Sequence, residues 1–324
     1  MSKAKITLDM REKLEASRVM HPCFSQIEAV LDHLVELSPT ISTGYIVTIF
    51  GEYGLGKSTL FRDLEKRYPE HDAATARGES KQIPIFVIDA VESITNRKVV
   101  DAMCRKAGVT TTSSNNLDYL KNKAITLLRE CGTLLFGIDE AHEFLNNSNR
   151  VGVKSVVSFV RSLADAIKIP VVLMGPHDYK DFVYSSGDLN RRVKEEYTLR
   201  QMGAPIDAQT EFYWTAVGML EKLQEITGRR LDPSIDLLSF TQRLFLVTEG
   251  RIGCVFDFLA QYIVDQAKLG TARDLISLDD MQNTMKRYRP PFPLVSPAKD
   301  AWTKLSQKEI DALMDEYEFM DDEE

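Results

Sequence analysis

Residues 51–59 read GEYGLGKST, which fits the pattern GxxxxGK[ST] without a mismatch. The glycines allow backbone N–H groups to converge on phosphate oxygens, and the helix that follows adds the positive end of its dipole. An apolar, β-branched run, YIVTIF (45–50), precedes the loop, and a helical pattern at 58–68 follows it. Strand, glycine-rich loop and helix in this order predict a phosphate-binding loop (P-loop) within an α/β domain.

Every residue of this loop is a candidate contact for a nucleotide. We expect Lys57 to reach the β- and γ-phosphates of ATP, and the Ser58 hydroxyl to bind Mg²⁺. The expected nucleotide-binding residues of the loop are Gly51, Glu52, Tyr53, Gly54, Leu55, Gly56, Lys57, Ser58 and Thr59. A glycine-rich turn without a ligand is the alternative, and the flanking strand and helix argue against it.

A second stretch, LLFGIDEAHEF (134–144), ends an apolar run with two adjacent carboxylates. Asp139 follows the strand as a Walker B aspartate does, and we expect it to hold the Mg²⁺ shell. Glu140 is suited to orient and deprotonate an attacking water. This pair favours ATP hydrolysis over phosphoryl transfer to a small acceptor, so a P-loop kinase is disfavoured.

The letters D-E-A-H within this stretch also occur in helicases, and a histidine beside carboxylates suggests a metal site. His142 has no metal-ligand partner three or four residues further on, so we assign it a structural or supporting role. A helicase of this type normally needs two motor domains, and 324 residues leave room for one. The four cysteines are far apart and form no CxxC pair, so we expect free thiols.

Short apolar runs alternate with helical patterns through the first 200 residues. The predicted strands are YIVTIF (45–50), IPIFVIDA (83–90), TLLFGID (133–139), IPVVLMG (169–175) and VKEEYTL (193–199). The predicted helices lie at 58–68, 97–107, 117–130 and 151–168. Four of the strands are too apolar for a half-exposed sheet, so we predict a doubly wound α/β fold with a five-stranded parallel sheet.

The strand at 83–90 intervenes between the P-loop strand and the Walker B strand. An additional strand between these two is typical of the class of P-loop ATPases that includes the AAA+ proteins, RecA-like motors and helicases. We therefore expect an AAA+ P-loop fold.

From about residue 207 the pattern changes to amphipathic helices alone, at 207–226, 233–246, 252–269 and 278–287. We expect four parts: an N-terminal helical segment (1–40), an AAA+ α/β ATPase core (41–205), a small C-terminal α-helical lid (206–288), and a Pro-containing linker with an acidic tail (289–324). No apolar run reaches the about 18 residues that a membrane span needs, and no signal peptide opens the chain, so a cytoplasmic protein is expected.

The formal net charge of −8 is concentrated at the end of the chain. Residues 309–324 hold nine acidic residues and no Lys or Arg, so the rest of the chain carries a net charge of +1. A nearly neutral body is compatible with a polyanionic partner, whereas an acidic amphipathic end would sooner meet a basic protein than DNA.

Three arginines occupy places at which AAA+ proteins carry residues that act on the nucleotide. Arg191 and Arg192 stand just before the fifth strand, where an arginine finger would complete the site of a neighbouring subunit. A surface basic pair is the alternative. Arg251, in TEGRIGCVFDFLAQYIV (248–264), is placed for a sensor 2 contact.

Taken together, the motifs resemble the TnsC/TniB family of transposition regulators, which are AAA+ relatives of MuB. The resemblance spans about residues 18–285 and rests on boxes in the family's order: HPCFSQIEAVLDHL, VTIFGEYGLGKSTLFRDL, LLFGIDEAHEF, IPVVLMGPHDYKDF, LNRRV and TEGRIGCVFDFLAQYIVDQA. The chain departs at sensor 1, where the family usually has Gly-Thr and this chain has Gly175-Pro176. His177 or Asp178 would have to contact the γ-phosphate in its place.

The resemblance implies an ATP-dependent homo-oligomer, a ring or a helical filament, that assembles on double-stranded DNA without sequence preference. Such proteins link a target selector, such as a TniQ-like factor, to a DDE-type transposase, and hydrolysis or transposase contact then disassembles them. They occur in Tn-seven-like transposons, including CRISPR-associated ones.

Relatives of this type contact the DNA backbone from the segment after the second strand, here ESITNRKVVDAMCRKAG (92–108). The implied phosphate contacts are Thr95, Asn96, Arg97 and Lys98. A solvated basic helix start is the alternative. A second basic stretch could touch DNA or a partner protein, and consists of Lys286, Arg287, Tyr288, Arg289 and Phe292.

A different class of function stays open from the sequence. A nucleotide-switch signalling or scaffold ATPase, of the STAND or origin-recognition type, would bind ATP tightly, hydrolyse little and act by protein contact. Appended repeats or a winged helix would favour it, and neither pattern appears after residue 290.

Overall fold

A computed structural model of the chain describes residues 9–10, 12–14, 22–75, 78–90, 95–111, 116–145, 150–185, 187–269, 274–289 and 301–321. The chain divides into two compact units. Residues Cys23–Arg200 form an α/β unit, and Met1–Pro22 with Gln201–Glu324 form a helical unit. The N-terminal helix Pro22–Leu37 thus falls almost wholly within the α/β unit rather than in a separate segment.

The α/β unit alternates strands and helices along the chain. Its strands are β1 Tyr45–Phe50, β2 His71–Thr75, β3 Gly78–Gln82, β4 Ile85–Asp89, β5 Leu135–Asp139, β6 Pro170–Gly175 and β7 Val193–Thr198. Its helices are α1 Pro22–Leu37, α2 Lys57–Arg67, α3 Asn96–Lys106, α4 Leu117–Glu130, α5 Arg150–Ile167, α6 Asp178–Ser185 and α7 Gly187–Asn190. Short 3₁₀ helices cover Ser38–Thr40 and Ala141–Leu145.

Five strands form one parallel sheet in the order β4-β5-β6-β1-β7, which confirms the predicted fold class. The strand that lies between β1 and β5 in this sheet is β6. The sequence suggests β4 for that place because β4 intervenes along the chain, but β4 forms the edge beside β5. The additional strand of the AAA+ class is therefore the fourth predicted strand and not the second.

The strands β2 and β3 form a separate antiparallel hairpin that the sequence analysis did not predict. Its sequence, from His71 to Gln82, is polar and contains no apolar run. Hydrophobic periodicity detects strands that bury one face or both, so a solvated hairpin of this kind gives little signal.

Alternate residues of the strands face opposite sides of the sheet, where two layers of helices cover them. On one face, Phe50, Phe136 and Leu173 pack with residues of α3, α4 and α5. On the other face, Ile49 and Met174 pack with residues of α1 and α2. Burial on both faces explains why four of the strands are almost wholly apolar.

Within its described residues, the helical unit contains four helices of the predicted region and two short strand segments. These elements are α8 Glu211–Thr227, β8 Arg230–Leu231, α9 Leu237–Thr248, α10 Ile252–Leu269, β9 Leu275–Ile276 and α11 Leu278–Met285. No helix of the described residues in either unit is long and apolar enough to cross a membrane.

The segment expected to be an acidic tail also folds onto the helical unit. Residues Gln307–Asp321 form a further helix, α12. Trp302, just before it, is fully buried, and its ring stacks on Phe258 at 5.5 Å and lies 5.3 Å from Phe240. The buried Arg243 guanidinium donates a hydrogen bond to the carbonyl of Trp302 at 3.3 Å. The described part of the segment after residue 300 is therefore packed structure. The local composition of the segment does not reveal these contacts, so the sequence analysis did not predict them.

We expect Trp302→Ala to lower the free energy of unfolding by about 3–5 kcal/mol, because it leaves a cavity beside two buried rings. Trp214 is 61% exposed, so Trp214→Ala is the matched control, with a change within about 0.5 kcal/mol. Denaturant unfolding followed by circular dichroism measures both. Equal midpoints for the two variants would contradict the packing of the C-terminal segment.

Candidate nucleotide-binding site

The P-loop begins where two backbone contacts fix the end of β1. The Gly51 N–H donates to the Gly175 carbonyl at 3.0 Å, and the Leu199 N–H donates to the Phe50 carbonyl at 2.7 Å. A Cβ on Gly51 would lie 2.9 Å from the Leu199 Cβ. Only glycine therefore fits between the loop and the segment after β7.

Two further glycines of the loop adopt left-handed backbone conformations. Gly54 has φ of 81° and Gly56 has φ of 94°, a region that costs other residues energy. Gly56 precedes the first turn of α2, and its carbonyl accepts hydrogen bonds from Thr59 and Leu60. The first N–H groups of this helix have no intrahelical acceptor, so they are available to an anion.

The Lys57 side chain lies inside the loop. It is 6% exposed, and its Nζ donates to the carbonyls of Gly51 at 2.6 Å and Glu52 at 3.0 Å. An ammonium has three donors, so one is left for a phosphate oxygen. Burial lowers the Lys57 pKa, and the nearby Glu140 and Asp139 carboxylates oppose that effect.

The other loop side chains divide into two groups. Leu55 is buried in the core beneath the sheet, so only its backbone can serve a nucleotide. Tyr53 is 58% exposed, Ser58 is exposed and Thr59 is half-buried. The Ser58 hydroxyl is thus accessible to a metal ion at the first turn of α2.

The two carboxylates of the second motif follow the end of β5. Asp139 is the last residue of the strand, and its Oδ1 accepts a hydrogen bond from the Glu140 N–H at 2.9 Å. Glu140 has φ of 49°, a left-handed conformation that is unusual for a residue with a side chain. Burial raises the Glu140 pKa, and Lys57 opposes that effect.

Two further groups lie near Glu140: His142, to which the sequence analysis gave a structural or supporting role, and Asp89, which it did not assign. His142 Nδ1 lies 3.2 Å from Glu140 Oε2, so the histidine contacts the candidate base directly. Asp89, the last residue of β4, pairs in register with Asp139. An acidic residue at the carboxyl end of a neighbouring parallel strand was a readable signal for Asp89, whereas the His142 contact depends on the turn at Glu140.

These features fit a nucleoside triphosphate with Mg²⁺. The left-handed glycines give the loop a conformation that other residues seldom adopt, and Lys57 supplies a buried cation. Ser58 and Asp139 offer the oxygen ligands that Mg²⁺ prefers. β1 and β5 are parallel and separated only by β6, so both motifs lie at the same edge of the sheet.

The paired arginines lie near the amino ends of the parallel strands, at the end of the sheet opposite the P-loop. The Ile46 N–H, at the start of β1, donates to the Arg192 carbonyl at 3.0 Å. Five residues of strand separate Ile46 from Gly51, which is a distance of about 16 Å. The arginines therefore do not lie at the P-loop of their own chain.

The two arginines differ in their contacts. Arg192 forms a two-point pair with Asp165, with Nε–Oδ1 and Nη2–Oδ2 distances of 3.0 Å each. Arg191 is exposed and has no ion pair within the described residues. Both line an open cavity of about 440 Å³ whose walls are Ser42, Thr43, Gly44, Asp165, Arg191, Arg192 and Lys194.

The sensor 1 candidates follow the end of β6. A Cβ on Gly175 would lie 3.0 Å from the ring of the buried Tyr179, which explains the glycine there. His177 and Asp178 are both exposed. Burial would raise the Glu196 pKa, but hydrogen bonds from Lys180 and Tyr184 lower it, and His177 adds only a smaller effect.

Arg251 belongs to the helical unit. It follows two residues with left-handed conformations, Glu249 with φ of 51° and Gly250 with φ of 69°. A Cβ on Gly250 would lie 2.1 Å from the Met202 carbonyl oxygen, so the turn requires glycine. The Arg251 Nη2 lies 3.3 Å from Glu249 Oε2.

The four candidate DNA contacts lie at the start of α3. The Thr95 hydroxyl caps the helix and accepts from the Lys98 N–H at 3.3 Å. The Arg97 Nε lies 3.5 Å from Asp101 Oδ2. Asn96 is half-buried, whereas the Lys98 side chain is exposed. Lys98 is therefore the best placed of the four to meet a phosphate.

Among the described residues of the second basic stretch, Tyr288 is buried in the helical unit, whereas Lys286, Arg287 and Arg289 are exposed. Arg287 Nη1 donates to Asp265 Oδ1 at 2.9 Å, and the buried Tyr288 hydroxyl donates to the Cys254 carbonyl at 3.2 Å. Phe292 and the prolines after it lie outside the described residues. The expectation that Tyr288 meets DNA or a partner is therefore wrong, because its ring packs on Phe258.

Comparison with protein families gives a match to the model described as "Bacterial TniB protein", over residues 12–201. No curated protein matches the chain in sequence.

Several solved structures share the fold. The Aeropyrum pernix ORC1 protein, solved in complex with DNA, is 13% identical, covers 86% of this chain and 69% of its own, and has a TM-score of 0.59. Cdc6p from Pyrobaculum aerophilum is 15% identical over 85% of this chain and 70% of its own, with a TM-score of 0.58. The Aeropyrum pernix ORC2 protein is 13% identical over 81% and 67%, with a TM-score of 0.57. These likenesses show the AAA+ P-loop fold.

We expect Lys57→Ala to abolish ATP binding, because it removes the buried cation of the loop. Lys66→Ala is the matched control, since Lys66 lies on the same helix with its side chain 60% exposed. Isothermal titration of each variant with an ATP analogue measures the change. Equal affinities in the two variants would contradict the assignment of the loop.

Proposed function

The chain belongs to the bacterial TniB family, and on that premise we propose an ATPase that assembles on double-stranded DNA and couples target selection to transposase recruitment. The observation that carries the proposal is the arrangement of Lys57, Asp139 and Glu140 at the carboxyl ends of the parallel strands, which we call the catalytic edge. There the buried Lys57 lies close enough to Asp139 and Glu140 for their charges to influence one another. Membership of the family supports the transposition role, and the site supports the use of ATP to control it.

The residues of this edge divide the chemistry of hydrolysis among them. The N–H groups of the P-loop and the Lys57 ammonium bind and orient the β- and γ-phosphates. Ser58 and Asp139 would hold Mg²⁺, which neutralises charge on the transferred phosphoryl group when bound. Glu140 accepts the proton of the attacking water.

Assembly follows from the position of the arginines. Arg191 is exposed at the edge of the sheet opposite the P-loop, so it can serve the nucleotide of a second copy but not that of its own chain. Arg192 pairs with Asp165, and in this proposal the pair stabilises the amino end of the sheet. We therefore assign the finger to Arg191, and a ring or a helical filament brings it to a neighbour's site.

The helical unit serves as the lid in this proposal. Arg251 would contact the γ-phosphate as sensor 2, and it would exchange its contact with Glu249 for the nucleotide. His177 would take the role of sensor 1, since Pro176 has no donor. Both assignments follow the resemblance to AAA+ proteins.

Contact with DNA would use the start of α3. The exposed Lys98 would bind a phosphate, and Thr95, Asn96 and Arg97 would complete the contact. One structure of the same fold, the Aeropyrum pernix ORC1 protein, was solved in complex with DNA. Backbone contacts of this kind bind without sequence preference, as a regulator of target choice requires.

The partners would be a transposase and a target selector such as a TniQ-like factor, encoded by a Tn-seven-like or CRISPR-associated transposon. Hydrolysis by Glu140 would then time the life of the assembly.

We expect ATP to convert the wild-type protein into higher oligomers on duplex DNA, and the affinity for DNA to fall steeply with salt.

Glu140→Gln should bind ATP and keep the oligomer assembled, because it retains the phosphate contacts and loses the base. Electron microscopy with duplex DNA and a non-hydrolysable analogue, together with sedimentation, measures assembly. Rapid disassembly of Glu140→Gln would contradict the role of Glu140. Tight ATP binding without DNA-dependent assembly would instead favour a nucleotide-switch scaffold acting by protein contact.

We expect Arg191→Ala to lower the ATPase rate on the order of 10³-fold, and Arg192→Ala to leave most of it. Mixing Arg191→Ala with Glu140→Gln should restore hydrolysis, because each Glu140→Gln subunit supplies Arg191 to an intact neighbouring base. A phosphate-release assay over a range of mixing ratios tests this. No recovery at any ratio would contradict a finger that acts between subunits.

A further inference from the structure

The open cavity at the amino end of the sheet carries more positive charge than its own wall neutralises. Its volume is about 440 Å³, and three cations line it, Arg191, Arg192 and Lys194. Among the described residues of the wall, Asp165 is the only acid. Three cations and one carboxylate leave a net formal charge of +2, so the cavity suits an anion.

The single carboxylate of the wall is committed to one of the three cations. Both oxygens of Asp165 lie 3.0 Å from nitrogens of the Arg192 guanidinium. Gly44 leaves room for this pair, because a Cβ there would collide with Asp165 Oδ1. Arg191 and Lys194 are exposed, and neither side chain has an ion pair within the part of the chain that the structure describes. These two cations are therefore available to a ligand.

A shift of register in β7 brings Lys194 into the cavity. Ile46 of β1 pairs with Val193, but the next residue, Val47, pairs with Glu195. Lys194 is thus the extra residue in β7 and has no partner in β1, which is the pattern of a β-bulge. Bulges redirect a side chain, and they are common beside functional sites.

The same shift decides which charge faces the neighbouring tyrosines. Side chains alternate along a strand, so in a regular register Lys194 would take the place opposite Val47. Glu195 takes that place and accepts hydrogen bonds from the hydroxyls of Tyr45 and Tyr197. The bulge therefore gives the carboxylate to the tyrosines and turns the lysine out to the cavity.

Lys194 cannot reach the nucleotide of its own chain. It lies level with the start of β1, whereas the P-loop begins at Gly51, roughly 15 Å further along the strands. The catalytic edge holds Asp89, Asp139 and Glu140 beside Lys57, so the two ends of the sheet carry charges of opposite sign. Ends of opposite charge favour a head-to-tail contact between copies, which generates a ring or a helical filament.

We propose that Lys194 is a second cation that each copy supplies to the nucleotide of its neighbour, where it binds the terminal phosphates beside Arg191. The inference rests on the proposed function, because it needs the amino end of one copy to meet the nucleotide of the next. An ammonium binds phosphate as a compact point charge without fixed geometry. Lys194 therefore strengthens the binding of ATP itself, whereas Arg191 acts on the charge of the transition state.

Three variants separate this contact from a general effect of charge. Lys194→Gln removes the cation and Lys194→Arg keeps it. Lys168→Gln is the matched control, because Lys168 is an exposed cation just before β6, at the same end of the sheet but outside the cavity wall. Circular dichroism checks the folding of each variant.

The first measurement compares nucleotide binding by the monomer with nucleotide-driven assembly. Monomers, kept dilute and without DNA, should bind a fluorescent non-hydrolysable ATP analogue with the same Kd in all four proteins. On duplex DNA, the analogue concentration that gives half-maximal assembly in sedimentation should rise about tenfold for Lys194→Gln, since a charged hydrogen bond to phosphate is lost. Lys194→Arg and Lys168→Gln should stay within about threefold of the wild type. A weaker Kd of the Lys194→Gln monomer would overturn the proposal, and so would assembly of Lys194→Gln at the wild-type analogue concentration.

The second measurement tests whether Lys194 acts between copies. Mixing Lys194→Gln with Glu140→Gln should give more ATP hydrolysis than the two proteins give separately, because each Glu140→Gln subunit supplies an intact Lys194 to a neighbouring site that has its base. A phosphate-release assay at subsaturating ATP measures this, and no gain at any mixing ratio would overturn the proposal.

A third measurement distinguishes the phosphate of a nucleotide from that of DNA. Without nucleotide, Lys194→Gln and Lys168→Gln should bind duplex DNA equally well in fluorescence anisotropy. Weaker DNA binding by Lys194→Gln alone would assign the cavity to the DNA backbone and overturn the proposal. If the wild type assembles and Arg191→Ala is defective while Lys194→Gln matches Lys168→Gln, the role of Lys194 fails alone. A wild type that does not assemble with the analogue would overturn the proposed function, and the role of Lys194 with it.

Discussion

The proposed catalytic end of the sheet depends on one close contact, between the P-loop helix α2 and the strand β5. The ring of Phe61, on α2, packs so tightly on Gly137 of β5 that a Cβ there would lie 2.6 Å from two of its ring atoms. Phe61 is one helical turn after Lys57, and Gly137 is two residues before Asp139. The absence of a side chain at Gly137 therefore sets how near Lys57 lies to the two carboxylates. Because protein cores are close-packed, a larger residue would have to separate the helix from the strand.

The same parallel sheet also separates the parts of the proposed machine. Its carboxyl edge carries Lys57, Asp139 and Glu140, and its amino edge carries Arg191. Side chains at opposite ends of a strand cannot meet within one copy, so a complete site in our proposal requires two copies. A single motor domain then suffices, whereas a helicase of the DEAH type joins two motor domains in one chain. The length of the strands keeps Arg191 away from the P-loop of its own chain, which is why our proposal requires an oligomer.

The sequence predicts those residues whose roles are indicated by a motif of neighbouring residues along the chain. The P-loop, Asp139 and Glu140 are of this kind, as are the amphipathic helices and the buried strands. The burial of Trp302 could not be predicted, because Phe240 and Phe258 are far from it in sequence. The choice between Arg191 and Arg192 depends on Asp165, which comes from a different helix. The polar hairpin of β2 and β3 lacks the periodicity that reveals a strand.

The string D-E-A-H shows how much one turn can add to a motif. Ala141 is small because it is buried beneath the turn, and Glu140 is left-handed because its neighbours hold it there. With the backbone bent in this way, the side chain two residues later returns to the carboxylate. An extended backbone would send residues 140 and 142 along the strand instead, with their side chains on one face but further from Asp139. The contact between His142 and Glu140 is therefore a product of the turn conformation, and the spacing of the four letters alone does not contain it.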